Sequence, residues 1–410
     1  MLSVMAAGVI APTEAQTTKV LFIGNSYVGV NDLPNTFREL ALSLGDTVEV
    51  ASSTPGGYTF SDHIIYAPTL AAIGAQPWDY VVLQEQSQLP SFPIEQVETE
   101  CFPFAAQLVD SILANDSCSQ AVFYMTWSRQ NGDADNCASW PPVCTYDGMQ
   151  ALLRERYLQM AFDNEAFAAP AGAAWKHVRD THPLINLYNP DQSHPSVEGT
   201  YLVASVFYST IFRESSAAAT FVSTLDPDTA AILRGIASST VLDSLGTWNI
   251  GVHDPDAGFT MENIDNCHWS LHPVTEGQNF WDFGDGDTSS EAEPVHFFHT
   301  DNFFTSVISH TVTDGCGRIS TLDSLFLVCI ESVPENSLVD RVSTVQRDGS
   351  LLVQGLRSSD HVDLLNSLGQ ICSASSGTSG AIIVPLKTGV SILRVTDGAG
   401  TRLSRKYISP

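Results

Sequence analysis

The sequence predicts an α/β domain with a parallel sheet, followed by two small all-β sandwich domains. From Lys19 to about Phe212, short β-rich runs alternate with segments of helical period, which is typical of parallel strands joined by helices. Beyond that region, short runs of alternating apolar and polar residues are separated by turn residues, which indicates antiparallel sheets. The length of 410 residues also exceeds what one hydrophobic core usually organises.

Five strands are expected in the parallel sheet, separated by helical segments. The most regular helical segment runs from Leu33 to Leu44, and Gly45 follows it where a helix commonly ends. The predicted strands are Lys19–Gly24, Thr47–Ser53, Tyr80–Gln84, Ala121–Thr126 and Ile185–Tyr188.

Changes in composition divide the chain into five segments. Residues 1–16 are expected to be a signal peptide without its charged leader, because the apolar run from Leu2 to Ala11 is too short to span a bilayer. Residues 17–215 form the α/β domain, and 216–244 a linker or helical segment. The two β domains are expected at 245–332 and 335–410.

Charge and cysteine content restrict the partners of the chain. The net charge is -28, from 46 acidic and 18 basic residues, so nucleic acid is not expected to bind. The eight cysteines of an exported chain suggest disulfides, with Cys101–Cys118 and Cys137–Cys144 as local pairs. No cysteine lies in a Cys-x-x-Cys pair, and no metal or cofactor is predicted. No transmembrane segment is expected either.

A serine follows the first predicted strand in the sequence Gly24-Asn25-Ser26-Tyr27. The carboxyl end of a parallel strand faces the crevice in which α/β proteins bind ligands, so Ser26 is a candidate nucleophile. A serine at this position could equally be a simple helix N-cap.

A second motif, Asp191 to Pro195, follows the last predicted strand. Pro195 suits the first position of the next helix, and Asp191 three residues before His194 can bond one ring nitrogen while the other faces outward. An Asx turn beside a surface histidine is the alternative. His63 and His182 are given no role, since lone histidines are usually surface or core residues.

These motifs resemble the SGNH (GDSL-like) hydrolases over about residues 19–212. The resemblance implies a flavodoxin-like three-layer α/β/α fold and a triad of Ser26, His194 and Asp191. It also implies an oxyanion hole formed by the backbone N–H groups of Ser26 and of Gly57, which is preferred to Gly56.

The third sequence block of that family departs from its usual Gly-x-Asn-Asp form. Here the third strand leads into Gln84-Glu85-Gln86-Ser87, which suggests a divergent subgroup. A glutamine amide can donate to an oxyanion as asparagine does, so Gln84 or Gln86 is expected to supply the third donor. Trp127, Trp140 and Tyr146 could line a sugar pocket or simply pack in the core.

The β domains resemble two known modules. The motif Trp-Asp-Phe-Gly-Asp-Gly at 281–286 is similar to that of polycystic-kidney-disease (PKD) domains, in which it forms a tight turn. A calcium site on its aspartates is conceivable, but a structural turn is preferred. The segments Leu364–Gln370, Gly389–Val395 and Lys406–Ile408 resemble the C-terminal sorting domain of type IX secretion, which implies the secretion machinery as a partner.

Together these observations predict a secreted or cell-surface serine esterase without a cofactor. The expected substrates are small acyl esters, above all acetyl groups on polysaccharides. The alternative is an inactive SGNH fold that binds glycans at the cell surface. Acyl transfer to a sugar instead of water would use the same residues.

Overall fold

The computed structural model describes residues 17–265, 267–298, 304–329, 342–347, 350–376, 380–386, 389–398, 400 and 402–409. The chain divides into two compact units, one ending at His253 and the other beginning at Asp254. The signal peptide predicted for residues 1–16 lies outside the described residues, as does the predicted boundary at 332–335.

The first unit contains a five-stranded parallel sheet with the strand order β2-β1-β3-β4-β5. This is the order of flavodoxin-like folds, and the predicted fold class is confirmed. The first four strands lie within two residues of their predicted bounds. The strands are β1 (Thr18–Ile23), β2 (Val48–Ser53), β3 (Tyr80–Leu83), β4 (Gln120–Tyr124) and β5 (Phe167–Ala169).

The predicted fifth strand at Ile185–Tyr188 is wrong. The edge of the sheet is instead β5, which pairs with β4. Residues 185–188 form a loop in which Tyr188 makes a single bridge to Pro195 and Leu187 accepts the N–H of Ser196. This loop therefore supports the segment that carries His194, without joining the sheet.

Helices cover both faces of the sheet. Contacts group α2, α8, α9 and α10 in one layer and α3 to α7 in the other, which gives the three-layer arrangement. The helices are α1 (Ser26–Gly29), α2 (Leu33–Leu42), α3 (Phe60–His63), α4 (Ala67–Ile73), α5 (Ile94–Glu100), α6 (Phe102–Asn115), α7 (Tyr146–Asp163), α8 (Ala171–Thr181), α9 (Val197–Phe212) and α10 (Pro227–Leu242).

The segment 216–244 packs against the α/β domain. Its helix α10 lies on α9, and its buried Leu233, Ala237 and Val241 belong to the same hydrophobic core as the central strands. Trp248 and Ile250 are part of that core as well. Burial of these side chains explains why the first compact unit extends to His253, beyond the position 215 expected from composition.

The second unit begins with a β-sandwich of two sheets, ordered β10-β7-β6 and β12-β11-β8-β9. Both sheets contribute to a core that includes Leu271, Trp281 and Ile308. The strands are β6 (Phe259–Asp265), β7 (His268–Pro273), β8 (Gln278–Asp282), β9 (Thr288–Ser289), β10 (Val295–Phe297), β11 (Phe304–Thr313) and β12 (Ile319–Cys329).

The acidic motif at 281–286 forms a turn after β8. Gly284 and Gly286 have φ angles of 74° and 105°, which favour glycine, and Asp282 accepts the N–H of Gly284 at 2.9 Å. His296 is paired with Asp285 at 2.8 Å, and side-chain ligand atoms of these two residues and Asp287 lie within 4.8 Å of one another. The motif thus adopts the turn that the sequence suggests.

A second β-sandwich follows, with sheets ordered β13-β14-β17 and β16-β15-β18-β19. Its separate core includes Leu351, Val353, Leu364 and Leu393. The two predicted all-β domains are therefore confirmed in fold. The strands are β13 (Ser343–Arg347), β14 (Ser350–Leu356), β15 (His361–Asn366), β16 (Ile371–Ser376), β17 (Gly380–Pro385), β18 (Gly389–Thr396) and β19 (Arg402–Ser409).

The cysteines follow the predicted pairing only in part. Cys137 and Cys144 form a disulfide. The predicted Cys101–Cys118 pair is wrong, since Cys101 is a buried free thiol while Cys118 is bonded to another cysteine. Among the helices of the described residues, none is long and apolar enough to cross a membrane.

Candidate active site

Ser26 lies immediately beyond the carboxyl end of β1. The strand ends at Ile23 and α1 begins at Ser26, so only Gly24 and Asn25 connect the two. The Asn25 side chain accepts the N–H of Tyr27 at 3.1 Å and is the N-cap of the helix. The alternative in which Ser26 is the cap is therefore wrong, and its hydroxyl faces a different partner.

That partner is His194, from a loop 168 residues further along the chain. The distance from His194 Nε2 to Ser26 Oγ is 2.8 Å, and His194 Nδ1 lies 2.5 Å from Asp191 Oδ2. With a proton on Nδ1, a neutral imidazole donates to Asp191 and accepts from the Ser26 hydroxyl. This is the arrangement in which histidine can act as a general base toward serine.

A tight turn holds Asp191 and His194 together. Asp191 Oδ1 accepts the N–H groups of Ser193 at 3.1 Å and His194 at 3.0 Å, while Gln192 has a φ of 62°. Partial burial raises the pKa of Asp191. Hydrogen bonds from the His194 ring and these two N–H groups lower the pKa by more than burial raises it, so it lies below its ordinary value. The Asp191 carboxylate therefore stays charged near neutral pH.

The helix after this turn begins two residues later than expected, at Val197 and not at Pro195. Ser196 is the N-cap of α9 and accepts the N–H of Gly199 at 3.1 Å, so Pro195 precedes the cap and does not occupy the first helical position. The side chains of His194 and Asp191 remain 30% and 48% exposed. The triad is thus open to solvent.

Gly57 lies in an exposed turn after β2, with a φ of 76° that suits glycine. The turn is held next to the serine by the Asn25 amide, which donates to the carbonyl of Tyr58 at 3.0 Å. The structure therefore brings the turn that carries Gly56 and Gly57 to the same segment as Ser26. Its role in binding an oxyanion remains a proposal.

Gln84 has a structural role that the sequence did not predict. Its side chain is fully buried, its Oε1 accepts the N–H of Asn25 at 2.9 Å, and its amide donates to the Glu85 carbonyl. A Cβ at Gly24 would lie 2.7 Å from Gln84 Oε1, so glycine is required for this contact. Because the side chain is fully buried, Gln84 is less suited to donate to an oxyanion in the open cleft than a partly exposed residue.

Gln86 is half-buried and bonded to its own loop. Its Oε1 accepts the N–H groups of Gln88 and Leu89, and its Nε2 donates to Gln88 Oε1 at 3.2 Å. An amide nitrogen carries two N–H groups, so one donor remains for another acceptor. Gln84 also has a second amide N–H, but its side chain is fully buried and that of Gln86 is half-buried, so Gln86 is the preferred donor.

His63 also contacts the serine-bearing segment, although no role was expected for it. The ring is buried, which lowers its pKa, and the neutral imidazole donates from Nε2 to the Gly24 carbonyl at 3.0 Å. Nδ1 accepts from Thr69, whose hydroxyl also contacts Ser53 at 2.7 Å. His63 thus fixes the end of β1 and does not reach the cleft.

The three aromatic residues proposed for a sugar pocket pack within the fold. Trp127 is fully buried, and Trp140 donates from its indole nitrogen to the Ser91 carbonyl at 3.0 Å. The guanidinium of Arg179 lies 4.1 Å from the ring centre of Tyr146. Packing is therefore the better interpretation for all three.

Glu85 is a buried carboxyl that sequence analysis missed. It accepts the N–H of Phe60 at 3.1 Å and that of Gln86 at 2.5 Å. Burial raises the pKa of Glu85 to about 8, although hydrogen bonds from Gln86, Phe60 and the Cys101 thiol oppose the rise. Near neutral pH the side chain is therefore mostly protonated.

This burial predicts a pH dependence of stability. Between pH 4.5, the ordinary value for the group, and about 8, the folded chain holds a proton that the unfolded chain has lost. The stabilisation is complete below the unfolded pKa and disappears as the pH rises through the folded pKa, at up to about 1.4 kcal/mol per pH unit. We expect Glu85→Gln to gain about 3 kcal/mol relative to the wild type between pH 5 and pH 8.

Urea unfolding followed by circular dichroism at 222 nm measures this difference, because the described helices all belong to the first unit. Asp79→Asn is a comparison at a less buried carboxylate, one that accepts the N–H of Lys19 at 2.7 Å. Parallel stability profiles of the wild type and Glu85→Gln from pH 5 to pH 8 would show that Glu85 does not titrate in this way.

No family model matches this chain, and no curated protein matches it either. It is similar to a DUF4886 family protein from Bacteroides uniformis at 18% identity and a TM-score of 0.49, over 55% of this chain and 95% of that one.

Two further solved structures show lower TM-scores. An acetyl xylan esterase from Geobacillus stearothermophilus is 18% identical with a TM-score of 0.34, over 47% of this chain and 94% of that one. A PKD1 domain from Vibrio anguillarum is 27% identical with a TM-score of 0.17, over 19% of this chain and 96% of that domain.

Proposed function

We propose that this chain is a serine ester hydrolase of the SGNH type that cleaves small acyl esters. The observation that carries the proposal is the continuous hydrogen-bonded chain from Ser26 through His194 to Asp191 at the carboxyl edge of the parallel sheet. The charged Asp191 carboxylate orients the ring and stabilises the imidazolium that forms when His194 takes a proton.

The reaction has two steps. Ser26 Oγ attacks the ester carbonyl while its proton moves to His194 Nε2, and the oxyanion is held by the backbone N–H groups of Ser26 and Gly57, with Gln86 as the third donor. The intermediate collapses, the bond to the alcohol oxygen breaks, and His194 returns the proton to the departing alcohol. A water molecule then repeats the sequence on the acyl-enzyme and releases the carboxylic acid and free Ser26.

Acetyl groups on a polysaccharide are the substrate class that suits the site best. The partly exposed His194 and Asp191 indicate a shallow cleft, which can admit a short acyl group on a bulky alcohol. The net charge of -28 disfavours strongly anionic substrates and leaves neutral glycans as the more compatible class.

We further propose that the protein acts outside the cell. The Cys137–Cys144 disulfide suits an oxidising compartment. The last β-sandwich, with strands from Ser343 to Ser409, supplies the fold required of the sorting domain that its sequence motifs suggest. In this proposal the type IX secretion machinery is its partner.

Purified full-length chain should hydrolyse p-nitrophenyl acetate faster than the butyrate and octanoate esters, and should release acetate from acetylated xylan. Ser26→Ala protein is the matched control for both reactions. Transfer of the acetyl group to an added sugar, seen by mass spectrometry, would identify an acyltransferase. Binding of xylan without any hydrolysis would instead favour an inactive glycan-binding protein.

A further inference from the structure

A hydrogen bond joins the two segments that carry the triad. The hydroxyl of Tyr27 and the Oγ of Ser193 are 2.6 Å apart, although the residues are separated by 166 positions. Tyr27 follows Ser26 directly, and Ser193 directly precedes His194. Both side chains are buried, with exposures of 3% and 6%, so the bond is shielded from water. The bond therefore joins the immediate neighbours of Ser26 and His194.

The ring of Tyr27 is fixed by its aromatic neighbours. It stacks on Trp127 with ring centres 5.1 Å apart, and its centre lies 5.2 Å from that of His194. The indole nitrogen of Trp127 donates to the carbonyl of Ser193 at 3.0 Å, and Trp175 stacks behind Trp127 at 3.7 Å. The phenol is thus held in one orientation beside the catalytic loop.

The phenol also meets the segment that follows β3. Burial raises the pKa of Tyr27, and hydrogen bonds with Ser193 and Ser87 oppose this rise without reversing it. Tyr27 therefore stays protonated and can donate at any pH at which an esterase would work. Ser87 belongs to the Gln-Glu-Gln-Ser sequence, so that segment also lies near this hydroxyl.

Two further hydrogen bonds join the segment after Ser26 to the loop that carries His194 and to the helix that follows it. Asn31, just beyond α1, donates to the carbonyl of Pro195 at 3.0 Å and to the hydroxyl of Thr200 at 3.0 Å. Loss of the Tyr27–Ser193 bond should therefore loosen the loop locally and leave its attachment to the domain in place.

We propose that the Tyr27–Ser193 hydrogen bond, here called the clasp, sets the separation of His194 from Ser26. Tyr27 and Ser193 are then positioning residues that act through the triad. The expected effect of the clasp on kcat rests on the proposed function. Its expected effect on the distance between His194 and Ser26 does not depend on that function.

Tyr27→Phe removes the hydroxyl and keeps the ring. We expect kcat for p-nitrophenyl acetate to fall about 10-fold, because proton transfer from the Ser26 hydroxyl depends steeply on its alignment with the His194 imidazole. KM should change less than about twofold, since the clasp does not line the cleft. The rate of inactivation by a fluorophosphonate should fall by the same factor as kcat.

Ser193→Ala should reproduce the loss, and the double variant should be no slower than the slower single variant, since both changes break one bond. Tyr208→Phe is the matched control, because that buried tyrosine bonds Asp46 at 2.8 Å. The kinetic constants are divided by the concentration of active sites, which is the amount of fluorophosphonate bound when labelling is complete. Misfolded protein then does not contribute.

Crystal structures of wild type and Tyr27→Phe provide a readout independent of activity. We expect the distance from His194 Nε2 to Ser26 Oγ to lengthen, or the His194 ring to occupy two orientations. Unchanged geometry, or a kcat equal to that of Tyr208→Phe, would overturn the clasp. If the wild type shows no hydrolysis that depends on Ser26, the proposed function fails, and the crystal structures alone decide about the clasp.

Discussion

Ser26→Ala is expected to lower kcat for p-nitrophenyl acetate by about 10⁵- to 10⁶-fold, leaving only the residual rate that binding and the oxyanion donors provide. The substitution removes the nucleophile and leaves its surroundings in place. Asn25 still caps α1, and Gln84 still accepts the N–H of Asn25. Initial rates with purified wild-type and variant protein measure the loss.

Ser111→Ala serves as the control for that experiment, because this serine bonds a carbonyl of its own helix α6 at 2.8 Å. Its rate should equal the wild-type rate. Circular dichroism of both variants should match the wild type. A folded Ser26→Ala protein that hydrolyses the ester within about tenfold of wild type, far above the residual level, would rule out Ser26 as the nucleophile.

His194→Ala should lower kcat by about 10⁴- to 10⁶-fold, since the serine then has no base to take its proton. Asp191→Asn should cost less, about 10²- to 10⁴-fold, because the carboxylate is half exposed and its loss affects mainly the tautomer and orientation of the ring. Single-turnover rates with p-nitrophenyl acetate separate this loss from effects on product release.

Residues that act as one unit are not additive in their effects. The double variant Asp191→Asn with His194→Ala should therefore be no slower than His194→Ala alone. His177→Ala, at an exposed position on α8, controls for loss of a histidine elsewhere. Additive losses in the double variant would indicate that the two residues contribute by separate routes.

The sequence was most informative where local patterns decide the structure. The first four strands are short apolar runs next to turn residues, and their bounds were close to those observed. Ser26 was singled out because it follows the first predicted strand. Asp191 and His194 were singled out because the aspartate precedes the histidine by three residues on a predicted turn. Convergence of such segments at one edge follows from the parallel sheet itself.

The fifth strand shows where local patterns fail. Phe167–Ala169 has only three residues, two of them alanines, whereas Ile185–Tyr188 has the stronger β-propensity. Tertiary contacts reverse that order, because Phe167 to Ala169 pair with β4 while Ile185 to Tyr188 support the loop that carries His194.

Side-chain partners were the least predictable part of the site. Gln84 has the donors expected of an oxyanion residue, but burial commits its amide to the backbone of Asn25 and Glu85. The raised pKa of Glu85 and the contact between Tyr27 and Ser193 depend likewise on residues distant in the chain. The spacing of residues along the sequence does not predict such contacts.

Covalent labelling by a fluorophosphonate tests most directly whether His194 activates Ser26. The reagent reacts with serines whose hydroxyl is deprotonated by a neighbouring base, and mass spectrometry of the digested protein locates the adduct. We expect one adduct, on the peptide that contains Ser26, and none in His194→Ala protein after the same exposure. Folded wild-type protein that carries no adduct, or carries it on another serine, would contradict the proposed triad.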